Sequence, residues 1–303
     1  MNILQVFQSF QTQEQAVEYL EQVRWHGKPT CPYCNSTSVC RHASGDRASQ
    51  RWQCWACHRT FSVTVGTIFH GTHIGLREWF LMLALMLNAK KSASACQVAR
   101  DLGIRRPTVW SMMHRARVAM ANDPAQAELL YGIVECDETY IGGKPRKNNR
   151  KEDRTGNPRG RGTKKTPIIG AIARGGRVIA MPANSDQLSA KGITKFISKF
   201  VDKAGTLLIT DEFTGYNRIS AKMLHATINH SIQYTDGIIH TNTIEGFWAL
   251  VKRAWYGQHH YYNKKYMHLY VAEACYKYNH RKIADAFNKT MKIMTTMPTM
   301  VTV

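Results

Sequence analysis

Three acidic residues in the second half of the chain are candidate metal ligands, and two of them close apolar strand-like stretches. Asp137 follows the apolar stretch GIVEC, Asp211 follows TLLIT, and Glu245 lies in TNTIEGFWALVKRAWYG, which has helical periodicity. Burying a carboxylate among strand hydrophobics is costly unless a cation or a donor compensates it. Oxygen ligands of this kind select Mg²⁺ or Mn²⁺, and three converging carboxylates suit phosphoryl transfer with two such ions. Taken singly, each of the three acids is more simply explained as a residue that caps the end of a strand or as a charge on the protein surface.

The segments around these acids alternate between strand and helix patterns and predict an α/β domain. The strand-like segments are GIVECDETYIGG, TPIIGAIARGG, RVIAMPAN, TLLITDE and LHATIN. The helical segments are ITKFISKFVDKAG, a stretch near 214–223, TNTIEGFWALVKRAWYG and a stretch from about Lys264 to Lys282. This order places Asp137 at the end of the first strand and Asp211 at the end of the fourth. Because side chains alternate along a strand, Glu138 and Glu212 should face the opposite side and are second choices.

Two cysteine pairs nearer the start of the chain predict a zinc site. Residues 31–34 read CPYC and residues 54–57 read CWAC, with nineteen residues between them. Each turn offers two thiolates, and a short β-hairpin brings both turns to one tetrahedral Zn²⁺. The predicted ligands are Cys31, Cys34, Cys54 and Cys57. We expect Trp52, Phe61 and Val63 to pack beneath the ion, which should fold the ribbon. The alternatives are four buried free cysteines or a redox CxxC, although a redox motif needs no second copy.

Residues 67–125 predict helices that suit DNA binding. An apolar helix at Leu76–Ala89 precedes CQVARDLGI and RRPTVWSMMHRARVAM, which read as two helices joined by a turn at Leu102–Ile104. The residues predicted to approach DNA are Arg105, Arg106, Thr108, Ser111 and His114. The alternative is a helical linker with a solvated basic face.

The charge of the chain favours nucleic acid as its partner. A formal net charge of +20 and a pI near 9.8 point to a polyanion. The longest apolar run, Trp79–Leu87, is about half of a bilayer span, and MNILQVFQSF lacks signal-peptide features, which predicts an intracellular protein without a membrane partner. The segment 144–165 has ten Lys or Arg against two acids and is predicted to be a phosphate-binding loop. The repetitive segment 289–303 is predicted to be a loose tail.

Four motifs together resemble one known family. DETYIGGK, TDEFTGY, HTNTIEGFWALVKR and YKYNHRK are similar to segments of the DDE transposases of insertion sequences in the ISXO2-like group. The resemblance implies an N-terminal zinc ribbon, a helix-turn-helix segment and an α/β ribonuclease-H-like catalytic domain. It also implies that Asp137 and Asp211 are the two aspartates of the metal-binding triad.

The third member of the triad is a choice between two residues on one helix face. Relatives carry either Asn or Glu there, and this chain has both Asn242 and Glu245. We favour Glu245, because an anion compensates Mg²⁺ better than an amide does. The resemblance makes Lys252, two turns further on, a phosphate-contacting base, and leaves Asn242 and His240 to orient the substrate or the ligands.

The resemblance implies a transposase that cleaves DNA at the element's terminal inverted repeats and joins the released 3′-hydroxyl to target DNA. Joining two ends implies a homodimer or larger assembly, in the bacterial cytoplasm with the nucleoid. The expected domains are 1–66 (helix and ribbon), 67–125 (helix-turn-helix), 130–288 (catalytic domain) and 289–303 (tail). Two other functions are considered: a non-catalytic zinc-ribbon and helix-turn-helix regulator, and a ribonuclease-H-like nuclease that cuts but never joins DNA.

Overall fold

The computed structural model of the chain describes residues 1–42, 50–142, 163, 165–229, 235 and 237–296. The chain forms two compact units, one containing Met1–Asn122 and Arg281–Val303 and the other containing Asp123–His280. Of the basic segment 144–165, which is predicted to be a loop, only Thr163 and Lys165 are among the described residues. In the described parts of the chain, no helix is both long and apolar enough to cross a membrane.

The helices and strands are numbered along the whole chain. The helices are α1 (Ile3–Ser9), α2 (Gln13–Trp25), α3 (Leu76–Asn88), α4 (Ala95–Leu102), α5 (Arg106–Ala121), α6 (Ala190–Phe200), α7 (Asn242–Ala254), α8 (Met267–Asn279) and α9 (Ala286–Thr296). The strands are β1 (Val39–Arg41), β2 (Trp52–Cys54), β3 (Thr60–Phe61), β4 (Ile133–Ile141), β5 (Thr166–Ala173), β6 (Val178–Pro182), β7 (Leu207–Asp211) and β8 (Leu224–Ile228). The helix predicted near 214–223 is wrong: the structure has only a 3₁₀ turn at Thr214–Tyr216 there, in a glycine- and asparagine-containing segment that favours turns.

The first unit has an aromatic core that includes the last described helix. Phe287 on α9 lies with its ring 6.1 Å from that of Phe80 and 6.4 Å from that of Tyr19. Phe287, Met291 and Met294 are all fully or almost fully buried. The prediction of a loose tail from residue 289 is therefore wrong as far as Thr296, because the apolar residues at i, i+4 and i+7 form a helical stripe that is covered. Residues 297–303 lie outside the described part of the chain.

The ribbon in this unit is a small antiparallel sheet. Its strand order is β1-β2-β3, and Trp52 on β2 pairs with Phe61 on β3. The rings of Trp52 and Phe61 both meet the edge of Trp25 on α2, with centroids 5.9 and 6.0 Å away. Phe61 and Val63 are buried, and Trp52 is partly exposed. The helix α2 therefore supplies apolar cover that the ribbon is too small to make for itself.

The two helices α4 and α5 form the predicted helix-turn-helix. Gly103 ends α4 in the left-handed conformation, with φ of +67°, and its N–H donates to the carbonyl of Ala99. Glycine is favoured there because it has no Cβ to strain the turn. Pro107 stands in the first turn of α5, where its missing N–H costs nothing. Val98 and Val109 are fully buried and lie on the inward faces of the two helices.

The second unit is a mixed sheet with helices on both faces. The strand order is β6-β5-β4-β7-β8, in which β5 is antiparallel to β4 and β6, while β4, β7 and β8 are parallel. The helix α6 packs on one face with the core around Val134 and Leu208, and α7 and α8 pack on the other with the core around Ile168 and Ile172. This strand order between helical layers is the ribonuclease-H-like α/β arrangement that the sequence predicted.

The position of Asp137 in this sheet differs from the prediction. Asp137 lies in the middle of β4, where it pairs with Gly170 of β5, and the strand continues to Ile141. The antiparallel partner β5 is long enough to pair with β4 over its whole second half. The parallel partner is shorter, and its last matched pair is Glu135 with Ile209. Asp137 therefore stands just beyond the parallel pairing and not at the end of the strand.

Candidate active site and zinc site

The four predicted zinc ligands lie together in the ribbon. The Sγ atoms of Cys31, Cys34, Cys54 and Cys57 all lie within 4.8 Å of one another. The Cys31–Cys57 and Cys34–Cys54 pairs are 3.7 and 3.6 Å apart. Zn–S bonds of about 2.3 Å in a tetrahedral site separate neighbouring sulfurs by about 3.8 Å. The spacing therefore fits a structural Zn²⁺.

The backbone of the second cysteine turn favours the thiolate that zinc requires. Burial raises the pKa of Cys54, but hydrogen bonds from the backbone N–H groups of Cys57 and Ala56 and from the thiols of Cys34 and Cys57 together lower that pKa to about 7. Because a deprotonated sulfur is the form that binds metal, the lowered pKa of Cys54 favours binding of the ion at this turn.

Asp137 and Asp211 lie side by side on neighbouring parallel strands. The register that matches Glu135 with Ile209, continued two residues past this last pair, puts Asp137 level with Asp211, and their charges are close enough to interact. The pKa of Asp137 is raised to about 7 by burial and by the negative charges of Glu138 and Asp211. A carboxylate whose ionised form is disfavoured in this way is stabilised by a nearby cation. The pair therefore has the chemistry expected of divalent-metal ligands.

Both aspartates have local hydrogen-bond donors. The indole N–H of Trp248 on α7 donates to Oδ2 of Asp137 at 2.9 Å. The backbone N–H of Phe213 donates to Oδ1 of Asp211 at 3.2 Å, in the turn that follows β7. In each aspartate, one carboxylate oxygen therefore accepts a hydrogen bond from the protein.

Glu245 stands in the first turn of α7, and its side chain is exposed. Because Trp248 is three residues further along the helix and reaches Asp137, Glu245 lies on the helix face that is directed toward the aspartates. Its Oε1 atom accepts a hydrogen bond from the Thr241 hydroxyl at 3.0 Å. Among the described residues, only the four cysteines form a group of three or more ligands within 4.8 Å. The three carboxylates therefore share one side of the sheet without converging to that distance.

The other residues predicted at this site also belong to α7 or the segment just before it. Asn242 is the first residue of the helix and Lys252 lies in its last turn, and both are exposed. The backbone N–H of Asn242 lies 3.4 Å from Nδ1 of His240. The structure therefore gathers Asn242, Glu245 and Lys252 on one helix beside the aspartates.

The neighbouring acid Glu138 lies on the opposite face, as strand alternation predicted. The hydroxyl of Tyr216 donates to Oε2 of Glu138 at 2.9 Å. Tyr216 belongs to the core on the α6 side of the sheet. Glu212, the other second choice, is exposed after the end of β7.

The sequence reasoning missed one acid, Glu135. It lies two residues before Asp137, on the same face of β4, and its side chain is completely buried. Nε of Arg174 lies 2.7 Å from its Oε1 atom, and the Thr243 hydroxyl donates to the same oxygen at 2.8 Å. The N–H of Ile244 donates to Oε2 at 2.9 Å. The available signal was an acid between Val134 and Cys136, at the same parity as Asp137.

The residues predicted to approach DNA divide into exposed and buried sets. Arg105 and Arg106 are exposed, and Thr108 and Ser111 are partly exposed. The prediction for His114 is wrong, because its side chain is fully buried and its Nδ1 lies 2.9 Å from the carbonyl oxygen of Trp110. The helix α5 packs against α3, α4 and α9, which covers the face that carries His114.

Two protein families match the chain, one near its start and the other in its second half. A family described as "Transposase zinc-ribbon domain" matches residues 11–60, and one described as "ISXO2-like transposase domain" matches residues 129–279. The two matches together span about two thirds of the chain.

Two individual proteins are similar to this chain over most of its length. The chain is 29% identical over 261 residues to "Uncharacterized protein in transposable element ISH50" of Halobacterium salinarum, which covers 83% of this chain and 85% of that protein. Among solved structures, it is similar to a chain in the crystal structure of a pre-cleavage Mos1 transpososome, at 13% identity, with 73% of this chain and 80% of that chain covered. The TM-score of that comparison is 0.25, and a likeness of that size carries no weight for fold or function. By its two family matches, the chain belongs to the insertion-sequence transposases that combine a zinc ribbon with an ISXO2-like DDE domain.

Proposed function

We propose that the chain binds the terminal inverted repeats of its insertion sequence and catalyses divalent-metal-dependent DNA cleavage and strand transfer. The observation that carries the proposal is the level placement of Asp137 and Asp211 on parallel strands, with the pKa of Asp137 raised to about 7. Such a site has negative charge in excess and lies in a chain with a net charge of +20. A divalent cation and a DNA phosphate together supply the matching charges.

The carboxylates of Asp137, Asp211 and Glu245 would hold Mg²⁺ or Mn²⁺, with two ions as the proposed number. The bound ions would supply activation of the attacking oxygen and stabilisation of the leaving one. Trp248 would keep one oxygen of Asp137 fixed, so that its second oxygen is directed toward the ligand site. Glu245 would have to leave the hydroxyl of the buried Thr241, which costs about 1 kcal/mol.

The reaction has two steps that make and break the same kind of bond. Water attacks a phosphodiester at the element's end, the bond between phosphorus and the 3′-oxygen breaks, and a 3′-hydroxyl and a 5′-phosphate result. The freed 3′-hydroxyl then attacks a phosphodiester of target DNA and displaces a target 3′-hydroxyl. Lys252 would contact a DNA phosphate from the last turn of α7, and Asn242 and His240 would orient the substrate at its first turn.

Recognition of the DNA ends is assigned to the front part of the chain. The exposed Arg105 and Arg106, with Thr108 and Ser111, would contact DNA from α5, while the basic segment 144–165 would add phosphate affinity. The proposed division of labour is ribbon (1–66), helix-turn-helix (67–125) and catalytic domain (130–288). Joining two ends requires a homodimer or a larger assembly on DNA. We propose that this assembly acts at the bacterial nucleoid in the cytoplasm.

The test is incubation of the full chain with end-containing DNA, a target plasmid and Mg²⁺ or Mn²⁺. Joined products support the proposal. Cleaved but unjoined DNA would identify a ribonuclease-H-like nuclease, and binding without cleavage would identify a regulator.

Matched variants assign the ligands. We expect Asp137→Asn and Asp211→Asn to abolish cleavage, whereas Glu212→Gln removes an exposed acid beside Asp211 and should remain active. Full cleavage by the two aspartate variants would refute the metal assignment. An active Glu245→Gln together with an inactive Asn242→Ala would reverse the choice of third ligand.

A further inference from the structure

A completely buried carboxylate joins β4 to the beginning of α7. Glu135 is fully buried and has two partners in α7, the Thr243 hydroxyl and the Ile244 N–H, at 2.8 and 2.9 Å. A buried carboxylate with such partners is costly to disturb, because removing it leaves buried donors unsatisfied. The partners lie more than 100 residues away along the chain. Glu135 therefore fixes a distant helix to its own strand.

Glu135 acts as the N-terminal cap of α7. The cap residue by position, Thr241, makes no side-chain hydrogen bond to the free N–H groups of the first turn. Its hydroxyl donates to Glu245 instead. The N–H of Ile244 in that first turn is bonded by Glu135 from the sheet. A negative carboxylate at this end of a helix is also favoured by the helix dipole.

Arg174 completes this connection from the end of β5. Its Nε lies 2.7 Å from Oε1 of Glu135, and its Nη2 donates to the carbonyl of His240 at 2.9 Å. Its own N–H donates to the carbonyl of Ile133 at 2.9 Å, which ties it to β4 as well. The guanidinium therefore holds the segment entering α7 and neutralises the buried carboxylate at the same time.

One face of β4 thus holds α7 at two successive turns. Glu135 binds the N–H of Ile244, and Asp137, two residues along the strand, binds the indole of Trp248. Glu245 lies between these two attachment points. Its distance from the aspartates is therefore set by a strand that itself carries one of them.

We infer that Glu135, paired with Arg174, is a positioning residue that holds Glu245 in register with Asp137 and Asp211 without binding metal itself. Both of its carboxylate oxygens are already occupied by protein donors. The part of this inference that concerns catalysis rests on the proposed function. Its structural part concerns the first turn of α7 and is measurable without catalysis.

The test compares Glu135→Gln, Arg174→Met and the double variant Glu135→Leu with Arg174→Met. Each single change leaves a buried partner unsatisfied and should lower the melting temperature. The double variant replaces the ion pair with apolar groups and leaves no unpaired charge, so it should recover part of the stability that the single changes lose. It still lacks the cap, so we expect the Mn²⁺ concentration for half-maximal cleavage to rise about 10- to 100-fold. Hydrogen exchange over 241–250 should also be faster than in the wild-type chain.

The matched control is Glu273→Gln. Glu273 is a buried acid on α8 that lies 3.9 Å from Lys277, and it has no place in the proposed site. Its loss should lower stability and leave the Mn²⁺ requirement unchanged. Recovery of normal Mn²⁺ dependence and slow exchange in the double variant would reduce the Glu135–Arg174 pair to a folding role and overturn the inference. A wild-type chain that does not cleave under any condition would instead defeat the proposed function, while the exchange result still decides whether Glu135 holds α7.

Discussion

Trp248 occupies the space that a side chain on Gly170 would need. A Cβ at Gly170 would lie 2.6 Å from Cη2 of the indole, which is closer than real Cβ contacts come. Gly170 is the residue on β5 that pairs with Asp137, the acceptor of the Trp248 N–H. The absence of a side chain on one strand therefore lets an indole from α7 lie across the sheet and reach the acid on the next strand.

Gly170→Ala should accordingly displace Trp248 and disturb the site. We expect a loss of about 1–3 kcal/mol in the free energy of unfolding, as for other overpacked cores, together with loss of cleavage. Chemical denaturation and the end-cleavage assay would measure the two effects. The control is Gly246→Ala on α7, where a Cβ meets nothing within 4 Å and should stabilise the helix by up to about 1 kcal/mol. An unchanged free energy of unfolding in Gly170→Ala would mean that the indole can move aside without cost, which would contradict this prediction.

The raised pKa of Asp137 predicts a pH-dependent stability for the metal-free protein. The folded pKa of about 7 exceeds the ordinary aspartate pKa of 3.8, so the folded state holds this proton more tightly than the unfolded state. Asp137 therefore makes the protein progressively less stable as the pH rises from about 4 to 7. Above pH 7 this contribution is constant.

Asp137→Asn removes that contribution while it keeps an oxygen for the Trp248 N–H. Its stability advantage over the wild type, measured without added Mg²⁺ or Mn²⁺, should grow between pH 5 and 7 and then level off. Mg²⁺ at pH 8 should stabilise the wild type and leave the variant unchanged. A stability difference that is the same at pH 5 and pH 8 would contradict the raised pKa.

Zinc should be bound in one equivalent and should hold the ribbon together. Cys31→Ser removes a buried ligand, so elemental analysis should show loss of the ion and circular dichroism should show partial unfolding. Cys40→Ser is the matched control, because Cys40 lies on β1 of the same ribbon but outside the ligand set. Equal zinc content in both variants would refute the site.

The exposed arginines at the start of α5 should contribute to DNA affinity in a salt-dependent way. Arg105→Ala or Arg106→Ala should weaken binding of end DNA and lower the slope of log K against log salt by about 1 for each lost phosphate contact. His114→Ala should instead lower the melting temperature, because this side chain is buried. If His114→Ala weakened binding without any loss of stability, the assignment of the two roles would be wrong.

The residues show which features the sequence could predict. The cysteine spacing specifies a zinc ribbon directly, because the ligands of each pair are neighbours in the chain. Asp211 closes a strand whose end is marked by a turn, and it was placed correctly. Glu135 was overlooked because its partners Arg174, Thr243 and Ile244 are 39 to 109 residues away, and no local pattern connects them.

The errors have related physical causes. The length of β4 beyond Asp137 depends on how far β5 pairs with it, which strand periodicity does not determine. His114 looked like a DNA contact by residue type, but the packing of neighbouring helices decided its burial. The methionine-rich end looked like low-complexity sequence, although Phe287, Met291 and Met294 follow the spacing of a buried helical stripe.

The place of α9 has a consequence for synthesis of the chain. The unit that carries the ribbon and the helix-turn-helix ends its first segment at Asn122 and resumes only at Arg281. At translation rates of about 5–20 residues per second, roughly 10 to 30 s pass between the two segments. During that time the aromatic rings of Phe10, Tyr19 and Phe80 lack their Phe287 neighbour. A chain that ends within the second unit therefore lacks the helix that completes the aromatic core of the first unit.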